Sequence, residues 1–325
     1  MAPKISVRKE WLSQLDALYR AELPQDNSSL TVAAKYHFKN PGKSFRAQLA
    51  LTSGTALNID HLDNLNWAAA CELLHNASLI HDDISDASTH RRGQQSVSHY
   101  FGSDMALCLG DWMVAKAFEL AARNSRVGGQ LTAILAQAMQ ETCNGQISDL
   151  SQRQCADLDE WQRIATGKTA PLLIAPIKGM ALAAGLIDQQ QNTDWLSQLD
   201  KLVGFCGLAY QGYNDIDDIV PSSHRSSDLD GRKPNLAVSL FAIQGLGRDD
   251  FHRWYASEDT HRLSHWQQRI ASSVVISQAN ELVDQWLIQA QELVLTQPPA
   301  LQSVIEDLVN SVKKTTLVKS QCRIA

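Results

Sequence analysis

An all-α fold follows from three features of this 325-residue chain. Apolar residues recur at helical spacing, alternating β-branched runs are nearly absent, and the prolines leave long stretches unbroken. Leu73, Leu74, Ala77, Ile80 and Ile84 trace one helical stripe, and Leu131, Ile134, Leu135, Ala138 and Met139 trace another. Prolines stand at 3, 24, 41, 171, 176, 221, 234, 298 and 299, so 42–170 and 177–220 can run as long helices. The length allows about two domains. No Ser/Gly/Pro linker and no fixed-period repeat separates two halves, so one domain spanning 1–325 is predicted.

From the N-terminus, residues 1–16 carry basic residues with no apolar segment behind them, and their Glu and Asp argue against a transit peptide. Glycines near 54, 93, 128–129 and 145, with polar loops at 186–194 and 221–235, cut the chain into about ten or more helices. The most apolar window, from Ala170, contains Pro171, Pro176 and Lys178 and is too interrupted for a transmembrane segment. Residues 246–268 are polar and aromatic-rich, which predicts a surface helix pair.

Composition removes several function classes. With 29 Lys and Arg against 35 Asp and Glu, the net charge is −6, so the chain is not built to neutralise nucleic acid. At 44% apolar and 20% charged it can bury a sizeable core. Six scattered cysteines without a CxxC pair fit reduced thiols in a cytoplasmic protein.

The informative segment is His75 to Asp86, HNASLIHDDISD, inside an apolar helical run. Residues four apart share a helix face, so Asp82 and Asp86 project together while Asp83 points about 100° away. Like charges at that spacing repel, and no Lys or Arg lies between Leu51 and His90 to relieve them. A hard cation such as Mg2+, which takes one or two carboxylates plus water and phosphate oxygens, answers that need. A second acidic stretch, Tyr210 to Asp218, places Asn214 and Asp218 one turn apart, and the two faces could converge on one cavity holding a polyphosphate. Basic residues suited to an anion occur in Gly42-Lys43-Ser44-Phe45-Arg46, Arg91-Arg92-Gly93 and Gly167-Lys168-Thr169. Taken singly, each is most simply a surface cation, and an isolated acidic pair most simply a solvated helix end.

In their order, these motifs resemble the trans-type polyprenyl (isoprenoid) diphosphate synthases over about residues 40–240. The match includes the GKxxR at Gly42, Lys43 and Arg46, the HxxSLIHDDxxD at His75–Asp86, and Arg91-Arg92-Gly93. Gly110-Asp111, the GQxxDL at Gly145–Leu150, Gly167-Lys168-Thr169 and the stretch from Tyr210-Gln211 complete it. The resemblance implies a single-domain helical bundle with a central cavity, working as a homodimer. It implies magnesium ions on Asp82, Asp83, Asp86, Asn214, Asp215 and Asp218. Arg91, Lys168, Thr169, Gln211 and Lys233 would line the allylic diphosphate site, and Lys43, Arg46, His75 and Arg92 would hold isopentenyl diphosphate. Product length in the family follows the bulk four and five residues before the first aspartate; here these are the small Ser78 and Ala77, implying a geranylgeranyl or longer product. For His81 the reading is structural.

The chain departs from the family pattern in places. Asn214 stands where aspartate is usual, Ala47 where proline is customary, Ser44 where an arginine is, and Ser223 where a first lysine is expected. An amide oxygen ligates magnesium without adding charge, which lowers metal affinity. Three rivals follow: a terpene cyclase or atypical prenyl-coupling enzyme on the same fold, suggested by Asn214, Asp218 and Ser222 at i, i+4, i+8; an HD-type phosphohydrolase, mimicked by His75 and His81-Asp82; and a non-catalytic regulatory subunit of a heteromeric prenyl synthase.

Overall fold

The computed structural model describes residues 5–25, 28–150, 155–187, 194–220, 225–244, 246–257 and 259–322. These form α1 (Ile5–Glu22), α2 (Ser29–Phe38), α3 (Phe45–Ala56), α4 (His61–Ser85), a hairpin of β1 (His90–Arg91) and β2 (Gln94–Gln95), α5 (Val97–Phe101), α6 (Ser103–Ala122), α7 (Gly128–Leu150) and α8 (Leu158–Ala183). There follow α9 (Asp194–Ile219), α10 (Ser227–Asp230), α11 (Leu236–Gln244), α12 (Arg248–Tyr255), α13 (Leu263–Ala271), α14 (Val275–Glu292), a 3-10 turn (Leu293–Thr296) and α15 (Pro299–Cys322). Two compact units emerge, one of residues 1–140, 172–193 and 299–304, the other of 141–171, 194–298 and 305–325.

In the first unit α4 is the central helix. Asp60 caps it by accepting from the amides of Leu62 and Asp63, at 2.9 and 3.3 Å. Residues 64–74 are buried on every side, as expected of a helix wrapped by neighbours rather than lying on a surface. Its neighbours are chiefly α3 and α6. Gly54 does not break α3: a Cβ there would strike the Asn64 side chain, so the glycine marks a close crossing instead. Gly110 likewise makes room for the His81 ring, the structural part expected of that histidine.

Pro171 and Pro176 do not interrupt α8, although each removes one hydrogen bond from its ladder. The Trp67 indole donates to the Pro176 carbonyl at 3.0 Å, and Gly179 leaves space for the same ring. Among the described residues no helix is long and apolar enough to cross a membrane.

In the second unit α9 packs along α14. Gly212 permits their approach, since a Cβ there would lie 2.9 Å from Leu236 and 3.1 Å from Val283. Within α7, Gly145 meets the backbone of Gly167 on α8, where a Cβ would lie 2.5 Å from the Gly167 carbonyl carbon. Gly145 is therefore a helix crossing rather than a helix break. The pair predicted for 246–268 exists as α12 and α13, but its aromatic residues are core and not surface. Phe251, Trp254, Tyr255 and Trp266 are buried in one cluster, with Phe251 and Trp266 edge to face at 5.2 Å.

Candidate active site

The basic motifs of the first unit gather around the middle and end of α4. The segment before α3 turns through Gly42 and Ser44, both at positive φ (78° and 47°). A Cβ on Gly42 would lie 2.8 Å from the Arg92 guanidinium carbon, so the glycine serves both the turn and the approach of that arginine. Ser44 offers α3 no side-chain cap. The buried Glu72 of α4 supplies it instead, accepting from the Ala47 amide at 3.1 Å. Burial raises the Glu72 carboxyl above its usual range, opposed by Arg46, the Ala47 amide and Arg92.

Arg92 and Gly93 occupy the tip of the hairpin, at φ 52° and 78°. Two left-handed residues in a two-residue loop make the type I′ turn that matches strand twist. The turn sends successive arginines apart. Arg92 reaches the Asn40 carbonyl at 3.2 Å and the Asn76 side-chain oxygen at 3.3 Å. Arg91 instead grips Asp83, with contacts of 2.6, 3.0 and 3.2 Å. His75 lies among these cations: burial first, then Arg46, Arg92, Arg91 and His37, hold its imidazole well below the usual range and therefore neutral. Lys43 is exposed at the rim of the same motif. Ala77 and Ser78 are buried on α4, with the Ser78 hydroxyl turned back to the His75 carbonyl at 2.8 Å.

The acidic end of α4 closes in a Schellman motif. The Ser88 amide donates to the Asp83 carbonyl at 3.0 Å and the Ala87 amide to Ile84 at 3.2 Å, with Ala87 left-handed at φ 48°. Asp82 and Asp86 are half-buried on one face of this last turn, where the helix dipole adds its own negative end. Hard oxygen donors at that end fit magnesium. Asp83 is buried and paired with Arg91 at 2.6 Å. Among the described residues no three His, Cys, Asp or Glu side chains form a metal cluster.

In the second unit the Gly145–Gly167 crossing brings Asp149 of α7 beside Lys168 of α8, at 2.5 Å. Thr169 packs against Gly207 of α9, which has no Cβ to obstruct it. Gln211 donates to Asp215 at 2.7 Å. Asp215 is fully buried and also accepts from the Trp161 indole at 2.8 Å and the Leu236 amide at 2.7 Å, so it caps α11 and ties three helices together. Burial, and next Asp228, push its carboxyl well above the usual range. Asp218 accepts from the hydroxyls of Ser226 and Ser227 and from the Ser227 and Asp228 amides, holding the start of α10. Asn214 is half-buried on α9. Lys233 follows Arg232, whose guanidinium holds the carbonyls of Leu229, Tyr255 and Asp259 and lies 4.0 Å from the Trp254 ring centre. Ser222 and Ser223 lie outside the described residues.

A profile of the polyprenyl synthetases matches residues 27–258, which takes in both sets of motifs. The chain belongs to the polyprenyl synthetase family. This prenyltransferase is 34% identical over 75% of its length to a short chain isoprenyl diphosphate synthase of Methanothermobacter thermautotrophicus, covering 82% of that protein. It is 28% identical to a geranylgeranyl pyrophosphate synthase of Geoglobus acetivorans, over 72% of this chain and 75% of the other. Among solved structures, a geranylgeranyl pyrophosphate synthetase from Pyrococcus horikoshii superposes with TM-score 0.79 at 25% identity, covering 94% of this chain and 96% of that one.

Several polar residues around the prenyltransferase motifs carried no signal of their own in the sequence. Glu72 and Asn76 sit in a run read as core, while Asp228 is legible only through its partners. Burial and Asp218 raise the Asp228 carboxyl to about 6, opposed by the Asn235 amide and Lys233. A charged or amide residue inside an otherwise apolar helix was the available clue.

Proposed function

We propose that the whole chain, 1–325, acts as one catalytic domain that condenses isopentenyl diphosphate with an allylic diphosphate. The observation carrying this reading is the convergence of the GKxxR segment with the hairpin arginine on α4, where Gly42 lies against the Arg92 guanidinium, Arg92 bonds Asn76 of α4, and the buried Glu72 caps the helix that carries Arg46. The planar fork of a guanidinium suits phosphate oxygens. Arg46, Arg92 and the exposed Lys43 bind the diphosphate of isopentenyl diphosphate, and the neutral imidazole of His75 hydrogen-bonds rather than adding charge. Lys168, Thr169, Gln211 and Lys233 serve the allylic diphosphate. Asp82 and Asp86 would hold Mg2+, which when bound offsets charge on the departing diphosphate. The allylic carbon so released is attacked by the alkene of isopentenyl diphosphate, and a proton is lost to the freed diphosphate.

The small Ala77 and Ser78 one turn further into the core support a product of geranylgeranyl length or longer. The described cysteines are free thiols, in keeping with a cytoplasmic enzyme, and a homodimer is the expected assembly. Incubation with magnesium, labelled isopentenyl diphosphate and each allylic primer in turn, followed by sizing of the dephosphorylated products, tests the reading. Chain-extended alcohols are expected. Turnover of a primer without isopentenyl diphosphate would instead point to a cyclase, and no turnover to a regulatory subunit.

A further inference from the structure

Two polar side chains one turn apart on α4, Glu72 and Asn76, are 2% and 0% exposed. Buried polar groups of this kind persist when bonded: Glu72 accepts from the Ala47 amide, and Asn76 bonds Arg92, His37 and the Glu72 carbonyl. The Asn76 oxygen lies 2.9 Å from Nε2 of His37 on α2 and accepts from Nη1 of Arg92 at 3.3 Å. Its amide nitrogen donates to the Glu72 carbonyl at 2.8 Å, which fixes which end of the amide faces Arg92. With both lone pairs in use, the oxygen requires an N–H at Nε2 of His37. Burial agrees, holding the His37 imidazole near 4 and so neutral in ordinary buffer.

Arg92 is thereby bounded on three sides: by Asn76, by the Asn40 carbonyl and by the bare face of Gly42. Glu72 performs the matching service for the α3 end, accepting the Ala47 amide and facing Arg46. A long side chain held in its binding pose loses less rotamer freedom when the anion arrives.

We infer that Asn76, backed by Glu72, is a positioning residue that presets the Arg92 guanidinium to receive the diphosphate of isopentenyl diphosphate. The inference rests on the function proposed above. It is tested on the full chain by calorimetric titration of inorganic pyrophosphate with magnesium omitted, alongside steady-state kinetics. Asn76→Leu keeps the volume and removes the polar groups. Its pyrophosphate Kd and its KM for isopentenyl diphosphate are expected to rise about tenfold, with the KM for the allylic substrate unchanged.

A double-mutant cycle separates positioning from scaffolding. On an Arg92→Ala background, Asn76→Leu should add nothing to the loss of pyrophosphate affinity. Unchanged affinity in folded Asn76→Leu, or additive losses in the cycle, overturns the inference. If Asn76→Leu does not fold, Asn76→Ser taken through the same cycle decides on the same criteria. Failure of the parent chain to bind pyrophosphate also overturns it. Pyrophosphate binding without any condensation removes the proposed function while leaving the positioning claim to the cycle.

Discussion

At the end of α4, Asp82 and Asp86 stand half-buried on one face while Asp83 is drawn into an ion pair with Arg91. At the end of α9, Asp215 and Asp218 are consumed by amides, an indole, a glutamine and two serines of their own unit. In sequence the two stretches look like variants of one motif. In the structure the first has Asp82 and Asp86 half-buried on one face, and in the second Asp215 and Asp218 bond to the starts of α11 and α10. Motif spelling reports the spacing of acids, but the neighbours decide what each acid does.

Substitutions can break that contrast or sharpen it. The largest effect is expected from Asp82→Ala with Asp86→Ala, which should lower kcat/KM about a thousandfold through lost metal and charge stabilisation while leaving thermal unfolding unchanged or slightly improved. A large fall in Tm would erase the distinction between the two segments. Asp215→Ala should do the reverse, costing about 3 kcal/mol in denaturant unfolding because two buried donors, the Trp161 indole and the Leu236 amide, and the half-buried Gln211 lose their acceptor.

Acid titration probes the first segment's surroundings. His37 is neutral in the folded chain, at about 4 against its ordinary 6.5. The unfolded chain therefore binds more protons below 6.5, so stability is full above that pH and falls as pH drops toward 4. The loss amounts to about 3 kcal/mol by the lower limit. His37→Asn should flatten that part of the profile in urea melts taken at successive pH values.

Ala77→Phe, between one and two turns before Asp82 on α4, should shorten the product without altering metal dependence. Unchanged chain length on chromatography would count against a lengthwise channel beside α4. The smallest effect is expected at the second segment, where Asn214→Asp should reduce the magnesium needed for half-maximal rate a few-fold, about 1 kcal/mol. No shift would mean that residue 214 does not ligand the ion.

Helical periodicity made the buried stripe through Leu73, Ala77 and Ile80 legible, and the i, i+4 rule correctly paired Asp82 with Asp86. What sequence could not convey depended on partners distant in the chain. Pro171 and Pro176 read as interruptions because a ladder loses bonds there, yet α8 runs on, with the Trp67 indole on the Pro176 carbonyl. Gly145 read as a break, whereas its missing Cβ admits Gly167 and with it the Asp149–Lys168 pair. Polar spacing put Trp254 and Trp266 on a surface, but Arg232, Arg262 and Arg269 lie over their ring faces within a buried cluster. The donors that reach Asp215, from Trp161, Gln211 and the Leu236 amide, were likewise out of sight in the sequence.

Arg92 stands at φ 52°, a backbone state that disfavours any side chain branching from an L carbon by about 1 kcal/mol, and that asparagine or glycine occupies more comfortably. A campaign ranking substitutions by chain comfort alone would pick this position early, yet the exchange would leave the Asn40 carbonyl and the Asn76 oxygen without their arginine donor. The same exchange would strip the guanidinium from the hairpin tip, so a relaxed backbone and a weakened hold on an anion are expected from a single codon.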